Sequence, residues 1–101
     1  MEILALERDV PGATSEQFQP HLKAEAARVW ELYQAGVIRE PYFRQDQTSA
    51  VLALECADLE DARRVLATLP LVRAGLISFE LIPLIPYPGF SRLFCQNSPT
   101  R

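Results

Sequence analysis

Histidine is almost missing from this chain: His21 is the only one among 101 residues. A histidine-rich metal site within one chain is thereby excluded. Cysteine is nearly as scarce. Cys56 and Cys95 are far apart in sequence, so neither a disulfide framework nor a thiolate metal site follows. Cys56 closes an apolar run and reads as a small buried hydrophobe. It has no adjacent base or activating motif that would make it a nucleophile. A surplus of positive charge is also absent. Ten Lys and Arg stand against thirteen Asp and Glu, for a net charge of −3 with the signs interspersed. Without a basic stripe, a nucleic-acid partner has no electrostatic support. No apolar run is long enough to span a bilayer, which argues against a membrane role. The N-terminus, "MEILALERD", carries acids where a signal peptide would need lysine or arginine, and this points to the cytoplasm.

What remains is ordinary globular composition, 49% hydrophobic and 23% charged, in a length that suits one domain. A single core is feasible at this size, with much of the surface left wet. Residues 1–90 carry the domain pattern and 91–101 form a C-terminal tail, polar and expected to fray over 95–101.

"EILALER", 2–8, is a short apolar strand bounded by "DVPG". Thr14 or Ser15 can cap the helix that follows over 16–35. Phe18, Leu22, Ala26, Val29 and Tyr33 recur there at helical spacing, flanked by Trp30 and Leu32. Pro20 sits awkwardly inside and predicts a loose turn before the helix proper. Gly36 is a natural C-cap. A second strand, 37–45, contains Pro41, which cannot donate to a ladder and so belongs at a sheet edge. "SAVLALEC", 49–56, is a third strand. Asp58 then caps a short helix, with Asp61 in a capping-box-like place, and Pro70 is expected to end it. The fourth strand, about 77–85, carries Pro83 and again reads as an edge.

The order βαββαβ predicts an α+β fold: a ferredoxin-like sandwich with a four-stranded antiparallel sheet and two helices on one face. Strands two and four are the edges of that fold, and they are the two that carry proline. The other sheet face should alternate with polar residues if it met water. It does not: strand one reads Ile3, Leu4, Ala5, Leu6, strand three reads Ala50, Val51, Leu52, Ala53, Leu54, and strand four sets Ile77, Phe79 and Leu81 on one face and Ile82 and Leu84 on the other, so both faces are apolar. Roughly six large apolar side chains would be left wet, at about 1.5–3 kcal/mol each when fully buried. A homodimer formed sheet against sheet removes that cost, and a ring of dimers is a further possibility. The proline-rich "LIPLIPYPGF", 81–90, would continue as an extended arm along a neighbouring subunit, or fold back over its own sheet.

"LKAEAARVWELYQAGVIREPYFR", followed by an apolar strand, a short helix, "LATLPL" and an apolar last strand, resembles the muconolactone isomerases and their relatives in the dimeric α+β barrel superfamily. The match covers most of residues 18–88. It rests on Gly36, the Arg39-to-Arg44 spacing with an aromatic between, and Leu69-Pro70-Leu71. The resemblance implies a small cleft between helices and sheet. It implies a reaction that shifts a double bond in an unsaturated lactone or acid, by removing a proton beside a carbonyl and returning it elsewhere. No metal or organic cofactor is implied. After Tyr87 the chain departs from the isomerase pattern.

Proton transfer needs a carboxylate or imidazole in a partly dry pocket and a group that holds the substrate's acid. At about 100° per residue, Glu25 falls about 60° from the centre of the first helix's apolar stripe, and His21 about 100°. The two are at i,i+4 and can touch. Glu25 is thus the candidate proton-transfer group, tuned by His21; the plain alternative is a glutamate that reaches water beside a solvated histidine. Arg39 and Arg44 fall on opposite strand faces. Arg39 is the candidate for binding a substrate carboxylate, against a simpler role as an edge charge. Tyr42 and Trp30 would line the pocket, or serve as core. Glu7, Glu55 and Glu80 interrupt apolar strands, and one of them could face the cleft. Two other readings of the whole stay open: a cofactor-free monooxygenase of phenolic substrates, and a non-catalytic ligand-binding or oligomeric protein.

Overall fold

The computed structural model describes residues 1–94. Cys95 and the 95–101 tail lie outside the described residues. Strand β1 (Glu2–Asp9) leads through a loop to a helical turn α1 (Ser15–Phe18), a 3₁₀ turn (Gln19–His21) and helix α2 (Leu22–Gln34). Strands β2 (Ile38–Phe43) and β3 (Ala50–Glu55) form a hairpin. Helix α3 (Leu59–Leu66), a short helix α4 (Pro70–Arg73) and strand β4 (Ile77–Leu84) complete the domain. The sheet order is β2-β3-β1-β4 and every pairing is antiparallel. This is the ferredoxin-like βαββαβ sandwich, with the proline-bearing strands at the two edges.

Local chemistry accounts for most boundaries. Thr14 caps α1 in a full capping box with Gln17. Pro20 lies in the 3₁₀ turn and sets α2 apart from α1, the loose turn before the helix proper that its place in the 16–35 periodicity predicts. Gly36 takes φ +78° just past α2, a conformation that other residues adopt only with strain. The Asp58 carboxylate accepts from the Asp61 N–H at 2.7 Å. Asp61 reaches back to the Ala57 N–H at 3.0 Å, one residue short of a true capping box. Pro70 does not end α3, which stops at Leu66. It opens α4 from the first helical position, where its missing N–H costs nothing.

The core lies between the sheet and α3–α4, joined by Leu32 from the end of α2. Ile3, Ile38, Leu54 and Leu69 are fully enclosed, and Ala62 and Leu66 pack on them. Cys56 is buried in the same cluster, and burial pushes its thiol pKa up, as befits an inert hydrophobe. Helix α2 behaves differently. Its only fully buried residue is Leu32, and the half-buried row is Glu25, Arg28 and Val29. The stripe expected to face the core, with Leu22 and Tyr33, stays exposed. The stripe does face the sheet, but a cavity, not packed side chains, lies beneath it, so Leu22 and Tyr33 keep contact with solvent.

The helix-free face carries Leu4, Leu6, Val51, Ala53 and Ile82, all partly exposed, with Leu84 at its rim. Beyond β4 the chain runs out through a 3₁₀ turn (Pro88–Leu93). Its Ile85, Tyr87, Phe90, Leu93 and Phe94 are all exposed. The arm therefore does not fold back over its own sheet. It stretches the molecule to a radius of gyration of 16.6 Å, against about 13 Å for a compact chain of this length. No helix among the described residues is long and apolar enough to cross a membrane.

Candidate functional site

Where α2 stands off the sheet it leaves a cavity of about 510 Å³. Its floor is Ala50, Leu52 and Phe79 from the sheet, and its roof is Leu22, Ala26 and Val29 from α2. The small side chains of Ala26 and Ala50 keep the space open. Trp30 and Tyr33, ring centroids 5.9 Å apart, and Phe43 at the sheet edge surround it with exposed aromatic surface. A gap filled by side chains would have spoken for a purely structural module; this gap is not filled.

Two carboxyls reach into this apolar space, Glu25 from α2 and Glu7 from β1. Glu25 Oε1 accepts from the Leu71 N–H at 2.9 Å. That N–H belongs to the first turn of α4, where Pro70 supplies no donor and Leu71 supplies the first free one. Burial raises the Glu25 pKa, while the Leu71 hydrogen bond and the charge of His21 hold it down. Glu7 is only 7% exposed and accepts from the Ala50 N–H at 3.0 Å. Burial raises its pKa to about 7, opposed by that hydrogen bond and reinforced by Asp9 and by the negative charge of Glu25. One pocket thus holds two carboxyls, both raised by burial and each accepting one backbone N–H. Perturbed carboxyls paired in one apolar cleft are candidates for acid and base roles.

Of the residues singled out in the sequence, the structure brings Glu25, Trp30 and Tyr42 to the cavity. Tyr42 borders it from an unexpected side. Its register partner is Val51, on the helix-free face, and its hydroxyl donates to Glu40. His21 does not line the cavity and acts on Glu25 only through its charge. Arg39 is not there either. A bulge between Ile38 and Glu40 breaks the strand's alternation, and the Arg39 Nε donates to the Gly36 carbonyl at 2.8 Å. Arg44, past the strand end, is paired with Asp46. No lysine, arginine or histidine lines the cavity among the described residues. Among the three strand glutamates, Glu55 pairs with the N-terminal amine at 2.6 Å and Glu80 with Arg8, so the cleft-facing one is Glu7. Its signal was parity: Glu7 shares a face with Ile3 and Ala5. Because Leu4 and Leu6 make the other face equally apolar, sequence alone did not say which face the helices cover. Among the described residues no cluster of three or more metal-ligating side chains occurs.

Neither a family profile nor the sequence of a curated protein matches the chain. Among solved structures it is similar to 5-chloro-2-hydroxyhydroquinone dehydrochlorinase (TftG) from Burkholderia phenoliruptrix AC1100, determined in complex with 2,5-dihydroxybenzoquinone. The two superpose with a TM-score of 0.59 at 20% identity, over 84% of this chain and 94% of that one. What this likeness establishes is the shared fold, the ferredoxin-like α+β sandwich whose helices and sheet enclose the cavity.

Proposed function

We propose that the chain is a small-molecule enzyme of the muconolactone isomerase type, which moves a double bond in a small unsaturated lactone by proton transfer between two carboxyls. The observation that carries this reading is the pair Glu25 and Glu7 in one apolar cavity. Glu25, ionised, removes a proton from the carbon beside the carbonyl. Glu7, protonated, returns one to the far end of the resulting dienolate. His21 supports the ionised state of Glu25 through its charge, and Trp30 and Tyr42 border the ring's binding space. Without a cationic lining, the cavity favours an uncharged substrate over one bearing a carboxylate, so Arg39 serves no acid group within the subunit. The route as drawn calls on no cofactor.

α-Angelica lactone is an uncharged test substrate, and its conversion to the conjugated β-isomer is followed by ultraviolet absorbance. Glu25→Gln is expected to lower turnover by about 10²–10⁴-fold. An unchanged rate in the folded variant would remove Glu25 from the mechanism. Because Glu7 must be protonated, turnover falls as the pH rises past about 7. On the acid side it falls as Glu25, whose pKa burial raises, takes up a proton.

A second reading keeps the same carboxyls: deprotonation of a flat phenolic ring for reaction with oxygen. The aromatic side chains Trp30, Tyr33, Phe43 and Phe79 favour it, as does the hydroxyquinone bound by TftG. Oxygen uptake with a hydroquinone, and none with the lactone, would replace the first reading by this one. For either, the partly exposed apolar face of the sheet supports a homodimer, with the arm over 85–94 as a further contact between subunits or between dimers. Sedimentation as a monomer at micromolar concentration would count against this assembly.

A further inference from the structure

Glu7 is a wall of two cavities. Beside the apolar one lies a polar notch of about 380 Å³, lined by Glu7, Arg8, Asp9, Gln47, Thr48 and Ser49. The notch sits where the end of β1 meets the turn from β2 into β3. Asp9 is two residues beyond Glu7 on the same face of β1, at the exposed end of the strand, where it lines the notch with Glu7 and helps raise its pKa. The Ala50 N–H fixes the Glu7 side chain from β3. The register neighbours from β4 are Phe79 and Ile77, which bring no charge. Arg8 borders the notch, but its guanidinium is engaged by Glu80. The other titratable group acting on Glu7 is Glu25, on the substrate side. The buried acid therefore has a dry side, which faces the substrate cavity, and a wet side, which faces a hydroxyl- and amide-lined notch with an exposed carboxylate at its mouth.

We propose that Glu7 is recharged from solvent through this notch, with Asp9 as the outer proton carrier, so that the hydrogen placed on the product comes from water and not from the substrate. The inference rests on the roles proposed above for Glu25 and Glu7. The proton balance closes. In each turnover Glu25 gains the substrate's proton and Glu7 loses one to the product. Glu7 then takes a proton from water through Asp9, and Glu25 releases its own to water when the product leaves. Asp9 touches no substrate and is a positioning and relay residue.

The test runs α-angelica lactone isomerisation in D2O, followed by NMR. The wild-type product is expected to carry one deuteron per turnover at the newly saturated carbon. Asp9→Asn is expected to lower kcat at least fivefold with KM unchanged, and added formic acid should restore it by entering the notch. Thr48→Trp, which plugs the notch, should slow turnover and abolish that rescue. Because Asp9→Asn also removes a charge that raises the Glu7 pKa, the rescue and not the rate alone identifies the relay. Transfer of the substrate's own hydrogen in D2O would overturn it, as would wild-type kcat in both variants. If the lactone is not turned over, the relay is read from carboxyl-carbon NMR of glutamate-labelled protein. Asp9→Asn should then broaden the Glu7 signal at its titration midpoint several-fold, and equal width in the two proteins overturns the relay. Failure of the isomerase reading looks different: Glu25→Gln and Glu7→Gln would leave turnover unchanged.

Discussion

The two halves of the sheet's helical face do opposite things with similar material. Under α3 and α4 the chain is packed solid: Ala62, Leu66 and Leu69 meet Ile3, Ile38 and Leu54 with nothing exposed. Under α2 the same sheet is met by a helix that buries one residue fully and leaves about 510 Å³ open. The first half holds the fold together and the second holds the chemistry. The carboxyls sit where they do because the hydrophobic work is done elsewhere, and the solid half even reaches across: α4, part of the packed region, supplies the N–H that grips Glu25.

If that division is right, core truncation should hurt on one side only. Leu66→Ala should cost about 2–5 kcal/mol, read by urea unfolding, because a cavity opens in a tight region. Leu22→Ala, beside a space that already exists, should cost less than about 1 kcal/mol. Equal costs would erase the contrast.

Next in size is the burial of Glu7. Its carboxyl titrates at about 7 in the fold against an ordinary 4.5. An acid so displaced holds its proton more tightly folded than unfolded, so the fold loses stability as the pH climbs through that interval and does not regain it above. Glu7→Gln, which keeps the acceptor for the Ala50 N–H, should stabilise the protein at pH 8 by on the order of 2–3 kcal/mol. At pH 4 it should change little. A destabilised variant at pH 8 would mean that the carboxylate is satisfied and not strained.

The smallest effect on stability belongs to Ala26→Leu, which fills the open half. The melting temperature should move by less than about 4 °C, corresponding to under about 1 kcal/mol. Binding of α-angelica lactone, by titration calorimetry, should weaken at least tenfold. Retained binding would place the ligand outside this cavity.

The sequence disclosed the fold more fully than the site. Pro41 and Pro83 marked the edge strands because an imino nitrogen is useless in a ladder. Gly36 marked the end of α2 because its φ is positive. Glu25 could be found because helical periodicity is regular, although its place on the inward row was hidden: the periodicity reports where apolar side chains are, not whether anything fills the space they face. Glu7 was concealed by strand faces equally apolar on both sides. Arg39 misled because a single extra residue in β2 cancels the parity on which a strand reading depends. The anchoring of Glu25 by Leu71 is a contact between residues 46 apart, made by a main-chain atom, and no local pattern encodes it.

That last contact sets a limit on how this protein can change. Every amino acid except proline offers the same donor at position 71, so point variation there leaves the carboxylate's tether intact. Selection, or an engineer, who wants a different acidity at Glu25 must change how deeply it is buried, alter His21, rebuild the 66–71 connection, or substitute proline for Leu71 and accept a glutamate that swings unmoored.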